Sequence, residues 1–256
     1  MKAYSTGATW GFGKVACMAK MWIFPAVGSV VALAFAGMLA RRYVERRRPP
    51  EILWALALLM YAVASAALAL GAGDGWSTGE YRAYWLFGAV LTVPFLAMGE
   101  VYLLVKRRVV ADALLLVLLF AAAFALNRIR TATLVATALE ADLPRGSRAW
   151  ANDPFALDLA RIYSFAGFFI LLGGTLWSAW SMRSAGALRN RFLGTLGIAI
   201  GATIVAAGSG FAAAGNLAGF SLMITAGVAV MFWGFRRASR PSADRPPAQV
   251  RTSGGE

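Results

Sequence analysis

The residue best suited to chemistry is Glu100, a carboxylate inside an otherwise apolar stretch, residues 83–105. At 1.5 Å of helix per residue, it lies about 9 Å from the end of that stretch. Because an ionisable group within a membrane is costly, its presence predicts a functional role, here the binding of a proton or a cation. The alternative is structural, with the carboxylate paired to Lys106, Arg107 or an arginine of a neighbouring loop.

Pro94 and Thr92 lie near the middle of the same stretch. Proline has no N–H group, so it frees a backbone carbonyl and can kink a helix around a cavity. Proline is also simply commoner in membrane helices than in soluble ones. Both interpretations stay open, and Glu100, Pro94 and Thr92 together form the candidate intramembrane site.

A second set of polar residues lies in and around the polar stretch 127–161. The charged residues of this candidate outer site are Arg128, Arg130, Asp158 and Arg161. The aromatic residues that accompany them are Trp76, Tyr81, Trp85 and Trp150. These residues indicate a ligand pocket on the outer face. The alternative is an aromatic belt at the membrane interface, with ion pairs among surface side chains.

Several residues on which enzymes depend are missing. The sequence has no histidine and one cysteine, Cys17, and no apolar stretch carries a pair of carboxylates at its middle. These absences exclude histidine-ligated haem or zinc, Ser-His and Cys-His catalytic pairs, and an internal disulfide. We therefore predict no cofactor, no metal site and no catalytic residue, and an enzyme is the least favoured class.

The composition indicates lipid as the solvent of these candidate sites. Hydrophobic residues make up 59% and charged residues 14%, against roughly 25% charged residues in soluble domains. A run of about 20 apolar residues spans a bilayer as a helix, and these runs lack the alternation of barrel strands. The runs are 21–40, 52–72, 83–105, 109–126, 162–182, 192–214 and 218–235. The predicted fold class is an all-α membrane protein, a bundle of seven transmembrane helices.

The connections between the runs alternate in charge. Arginine and lysine concentrate in residues 41–51, 106–108 and 183–191 and in the tail after residue 235, whereas the intervening connections are acidic, mixed or uncharged. Cytoplasmic loops carry an excess of Lys and Arg. The alternation predicts an outer N-terminus and a cytoplasmic C-terminus in a bacterial plasma membrane.

The predicted organisation has three parts: an N-terminal segment 1–20, a transmembrane domain 21–237, and a disordered basic tail 238–256. In a soluble protein the net charge of +13 would suggest nucleic acid. Here the basic residues cluster at the ends of apolar runs. We therefore predict the lipid bilayer as partner, with anionic headgroups at the cytoplasmic face, and no nucleic acid.

Two further patterns predict packing. Arg108 and Asp112 lie one helical turn apart, which predicts an ion pair at the membrane interface. Gly197 and Gly201 form a GxxxG motif, which is typical of close helix approach. We expect that approach to occur within the bundle, and a dimer interface is the alternative.

The stretches YRAYWLFGAVLTVPFLAMG, residues 81–99, and GVAVMFWGF, residues 227–235, resemble a pattern in uncharacterised actinobacterial integral membrane proteins. That family has no assigned activity. The resemblance implies an actinobacterial plasma membrane and nothing about mechanism.

Two function classes follow from these observations. Transport of an ion or a small molecule rests on Glu100 and the proline at position 94. A sensor or interaction protein, which binds a ligand outside and a protein partner at its basic inner face, rests on the stretch 127–161 and the tail. The second class requires a separate partner chain to produce an output.

Overall fold

The computed structural model describes residues 22–182 and 189–238, and in these residues it contains helices but no strands. The long helices are α1 (Ile23–Arg46), α2 (Pro49–Asp74), α3 (Thr78–Leu104), α4 (Arg108–Thr131), α5 (Pro154–Met182), α6 (Arg189–Ala213) and α7 (Leu217–Ala238). All seven of these described helices are long and apolar enough to cross a membrane. The predicted all-α fold class is confirmed. The N-terminal segment with Cys17 and the tail beyond Ala238 lie outside the described residues.

Several helices extend past the apolar runs that predicted them. α1 continues through its arginines to Arg46, α4 continues to Thr131, and α5 begins at Pro154 rather than at residue 162. Arginine is a good helix former, and intrahelical hydrogen bonds do not require lipid around them. The ends of an apolar run therefore mark where the helix leaves the apolar layer, and the helix itself can continue beyond them.

Successive helices run up and down, so their connections gather at two ends of the bundle. The basic end holds the short turns after Arg46 and Leu104 and the C-terminal residues Arg236 and Arg237. The loop end holds residues 132–153, the longest connection between the described helices, and the turns at Gly75 and Gly215.

Within the described residues, all the long helices except α4 close into a ring. α1 packs on α2, α2 on α3, α3 on α5, α5 on α6, α6 on α7, and α7 returns to α1. α4 lies outside this ring against α3 and α5, and it buries only Ala111, Ala125 and Ile129. Its remaining apolar side chains, such as Phe120 at 79% exposure, offer a surface that suits lipid.

The contact between α6 and α7 is the closest in the ring, because glycines on both helices let the backbones approach. A Cβ atom on Gly197 would lie 3.0 Å from the Cα atom of Gly234, and one on Gly201 would lie 2.6 Å from the carbonyl oxygen of Gly227. The GxxxG motif therefore packs within the bundle, as expected. The expected pair of Arg108 and Asp112 is present as well, at 3.9 Å.

The loop-end connection folds back onto the bundle. It contains a 3₁₀ turn (Ala136–Glu140) and a one-turn helix (Gly146–Ala149). The Trp76 indole N–H donates to the Asp142 carbonyl (3.0 Å), and the Tyr81 hydroxyl donates to the Pro144 carbonyl (3.3 Å). The connection is therefore a fixed cap over the end of the ring.

Candidate functional site

Glu100 lies inside the ring, one turn before the C-terminal end of α3, with 5% of its surface exposed. It borders a cavity of about 40 Å³, which we call the central cavity. Every helix of the ring contributes to the lining, and Glu100 is the one polar residue among the lining side chains. The others are Phe35, Leu39, Trp54, Leu58, Leu96, Leu171, Ile198, Met231 and Phe235.

The structure does not bring Glu100 to the basic residues that could neutralise it. Lys106 and Arg107 are exposed at the end of α3, and within the described residues no ion pair or hydrogen bond involves the Glu100 carboxylate. A carboxylate in apolar surroundings is costly unless a proton or a cation neutralises it. Among the described residues the Glu100 carboxylate therefore has no counter-charge, and a bound proton or cation would neutralise it.

Two glycines create the room that the Glu100 region needs. A Cβ atom on Gly174 of α5 would lie 2.5 Å from Glu100 Cγ, so the glutamate stem lies directly against the α5 backbone. The absence of a side chain at Gly99 likewise leaves room for the Trp54 indole, whose N–H donates to the Leu96 carbonyl at 3.1 Å. Nothing in the sequence linked Gly174 to Glu100. Trp54 gave no signal beyond its place in an apolar run.

The backbone of α3 is irregular just before Pro94. Residues Tyr84–Leu91 form a π-helix, and the Thr92 hydroxyl donates to the Phe87 carbonyl at 2.6 Å. In the π register the Ala89 carbonyl would accept from residue 94, which is proline and has no N–H. The Ser164 hydroxyl of α5 donates to that carbonyl instead.

Pro94 and Thr92 support the site without lining it. A Cβ atom on Gly167 of α5 would lie 2.9 Å from the Pro94 nitrogen, so α5 packs tightly onto the irregular turn. The Thr92 hydroxyl is engaged within its own helix. Glu100 follows Pro94 by six residues, about 9 Å of helix. A π-helical segment beside a proline is frequent at functional sites and hinges.

The four charged residues of the candidate outer site do not converge. Arg128 pairs with Asp153 at 3.3 Å, while Asp158 pairs with Arg161 at 3.2 Å on the surface of α5. Arg130 is exposed at the end of α4. These contacts correspond to the surface ion pairs of the alternative interpretation.

The aromatic residues near them do not form an interfacial belt, because the loop-end connection covers them. Tyr81 is 0% exposed and Trp150 is 1% exposed, and ring centroids in the cluster lie 5.4 to 6.0 Å apart. The cluster comprises Trp76, Tyr81, Tyr84, Trp85 and Trp150. It anchors the cap that closes the loop end.

A larger cavity of about 690 Å³, partly open to solvent and with exposed charged residues, lies at the loop-end connection, and none of the residues of the candidate outer site lines it. Its charged lining residues are Glu140, Asp142, Arg145 and Arg148. Sequence reasoning missed this set, since nothing in the order of these residues shows that the chain folds around a hollow.

Comparison with known proteins adds no relative: no family model, no curated protein and no solved structure matches the chain. The fold and the central cavity define the class, a polytopic α-helical membrane protein.

Proposed function

We propose that this membrane protein translocates protons and that Glu100 is its intramembrane proton-binding residue. The observation that carries the proposal is the placement of one carboxylate, without a cationic partner among the described residues, on a cavity at the centre of the helix ring. Such a group is retained at a cost to stability, and function is the usual reason.

The size of the central cavity favours a proton over larger cargo. A volume of about 40 Å³ holds a few water molecules, and ligand pockets for organic molecules begin near 300 Å³. A bound metal cation needs several oxygen ligands, whereas one carboxylate supplies at most two. A proton needs only the carboxylate.

Polar groups buried between α2 and α7 support a route from the central cavity toward the loop end. Tyr61 follows the lining residue Leu58 by three residues, about 4.5 Å of helix, and its hydroxyl donates to the Ile224 carbonyl at 3.2 Å. Further along, Ser65 is 2% exposed and Ser221 is 0% exposed. These hydroxyl groups place polar atoms between the central cavity and the loop end, in a part of the bundle that is otherwise apolar.

At the basic end, the Arg42 guanidinium lies 4.9 Å from the centroid of the Phe235 ring, and Phe235 lines the central cavity. This cation–π contact places Arg42 beside the cavity on that side. We assign Arg42 the role of a gate, which would admit protons from the basic end by moving off the ring.

The orientation in our proposal has the basic end in the cytoplasm of a bacterial cell and the N-terminus outside. It is supported by the arginines at the basic end, which also suit anionic headgroups. The actinobacterial origin rests on the resemblance of residues 81–99 and 227–235 alone.

Proton flux into liposomes tests the function. The purified protein is reconstituted with a trapped pH-sensitive dye, and a potassium gradient with valinomycin imposes the membrane potential. We expect flux in the wild type, at least a tenfold loss in Glu100→Gln, and partial retention in Glu100→Asp.

Glu45→Gln is the matched control, because Glu45 is exposed and pairs with Arg41 on α1. This variant should conduct like the wild type. Folded wild-type protein without flux, or Glu100→Gln with wild-type flux, would overturn the proposal and favour the sensor hypothesis.

A further inference from the structure

The cavity of about 690 Å³ in residues 132–153, which we call the loop-end cavity, has a lining of balanced charge. Glu140 and Asp142 contribute two carboxylates, and Arg145 and Arg148 contribute two guanidinium groups. We infer that the loop-end cavity binds a small zwitterion, a molecule that carries one ammonium group and one oxyanion. This inference is independent of Glu100, which lies on another cavity.

The residues of like charge in the loop-end cavity lie close together in the chain, the two acidic residues first and the two arginines after them. Glu140 and Asp142 flank Ala141, which is extended with φ −81° and ψ 146°, and both line the loop-end cavity. Arg145 and Arg148 are three residues apart across the one-turn helix Gly146–Ala149, so they share one face. The carboxylates of the loop-end cavity therefore come from residues 140–142 and the guanidinium groups from residues 145–148.

The Arg145 side chain lies against the turn between α6 and α7. A Cβ atom on Gly215 would lie 2.7 Å from the Arg145 Nε atom. Gly215 also has φ +72°, a conformation that favours glycine. Glycine at this position thus allows the arginine stem to lie across the turn, and the turn becomes part of the loop-end cavity.

The four charged groups are not neutralised by one another. Among the described residues the ion pairs are Arg41–Glu45, Arg108–Asp112, Arg128–Asp153 and Arg161–Asp158, none of which includes a residue of the loop-end cavity. Guanidinium groups bind carboxylate or phosphate through paired hydrogen bonds, and carboxylates accept from ammonium. A lining of two positive and two negative groups favours a ligand with both charges over a simple anion or cation.

The backbone around the loop-end cavity is held by hydrogen bonds, which lowers the entropy cost of binding. The Asp142 carbonyl accepts from the Trp76 indole, the Val135 N–H donates to the Ala149 carbonyl at 3.0 Å, and Leu143 is 2% exposed. Its volume lies within the range of about 300 to 1,000 Å³ that is usual for small-molecule sites.

Two sources supply this ligand chemistry, namely free amino acids and the ethanolamine phosphate headgroup of a lipid. The test uses the full chain in detergent, with binding measured by calorimetry and by the thermal midpoint. The probes are a panel of free L-amino acids and the water-soluble headgroup sn-glycero-3-phosphoethanolamine. A folded-state ligand raises the midpoint by mass action.

We expect one of the two probe classes to bind. Its N-acetylated derivative, which lacks the ammonium group, should bind at least tenfold more weakly. If the ligand is an amino acid, its methyl ester should bind at least tenfold more weakly as well. Binding of amino acids alone would assign a free solute, and binding of the headgroup alone would assign a lipid. Arg148→Gln and Glu140→Gln should each weaken binding at least tenfold.

Arg130→Gln is the matched control, because Arg130 is exposed at the same end and does not line the loop-end cavity. Binding to Glu100→Gln should equal that of the wild type, which separates this inference from the proposed proton transport. A silent panel, or undiminished binding by both loop-end cavity variants, would overturn the inference.

Discussion

Glu100 of α3 lies against the backbone of Gly174 on α5, where a Cβ atom would stand 2.5 Å from Glu100 Cγ and 2.8 Å from Leu104 Cδ1. The aliphatic stem of Glu100 thus occupies the space that a methyl group on the neighbouring helix would take. This relationship makes the position of Glu100 sensitive to a residue that carries no chemistry itself.

Gly174→Ala should displace the Glu100 side chain. We expect the free energy of unfolding in detergent to fall by about 1–3 kcal/mol, the usual cost of an overpacked core, and proton flux to fall with it. Gly173→Ala is the matched control, because a Cβ atom there meets nothing within 4 Å.

Glu100→Ala removes the Cγ atom that the new methyl group would meet, so it should recover part of the stability that Gly174→Ala loses, and a double-mutant cycle measures that coupling. Equal effects of Gly174→Ala and Gly173→Ala would show that the contact between Glu100 and Gly174 does not matter.

The Ser164 hydroxyl should stabilise the bundle through its hydrogen bond to the Ala89 carbonyl, the group to which residue 94 would donate in the π register if it had an N–H. Ser164→Ala removes the hydrogen bond to the Ala89 carbonyl. It should lower the free energy of unfolding, measured by thermal denaturation, by about 1 kcal/mol. In a Pro94→Ala background the cost should shrink, because residue 94 then supplies an N–H of its own.

Ser209→Ala is the control for Ser164→Ala, since the Ser209 hydroxyl donates to Ala206 within its own helix. If Ser164→Ala costs the same with and without Pro94, the hydroxyl does not compensate for the proline.

The number and type of helices could be predicted because apolar length is a local property of the sequence. Backbone groups in lipid must be paired within the segment, so each apolar run has a single outcome. The ends of α1 and α5 could not be predicted in this way, because charged residues continue a helix as readily as apolar ones.

The candidate sites were likewise predictable only in part. Glu100 stood out as a charge in an apolar run, but its partners are chosen by packing between distant helices, which brings Trp54 and Gly174 to it. Asp158 and Arg161 lie three residues apart on one helix, and they pair with each other rather than with Arg128. The loop-end cavity depends on how residues 132–153 fold back, and no spacing in the sequence encodes that return.

The GxxxG glycines should stabilise the contact of α6 with α7 within one chain. Gly201→Ala places a methyl group 2.6 Å from the Gly227 carbonyl oxygen, and backbone cannot yield as a side chain does. We expect the free energy of unfolding to fall by about 1–3 kcal/mol, with no change in mass by light scattering.

Gly210→Ala on the same helix meets nothing within 4 Å and should be neutral. A change in oligomeric state in Gly201→Ala, with stability intact, would instead assign the motif to a dimer interface.

The loop end should face the outside of the cell, because arginines gather at the opposite end and cytoplasmic loops carry excess Lys and Arg. In a Cys17→Ser background, a cysteine introduced by Ser147→Cys lies on the exposed loop-end connection. It should react with a membrane-impermeant maleimide in intact cells. A cysteine from Glu45→Cys, at the exposed basic end of α1, should react only after the membrane is permeabilised. The reverse labelling pattern would invert the orientation, and the loop-end cavity would then sample cytoplasmic rather than external solutes.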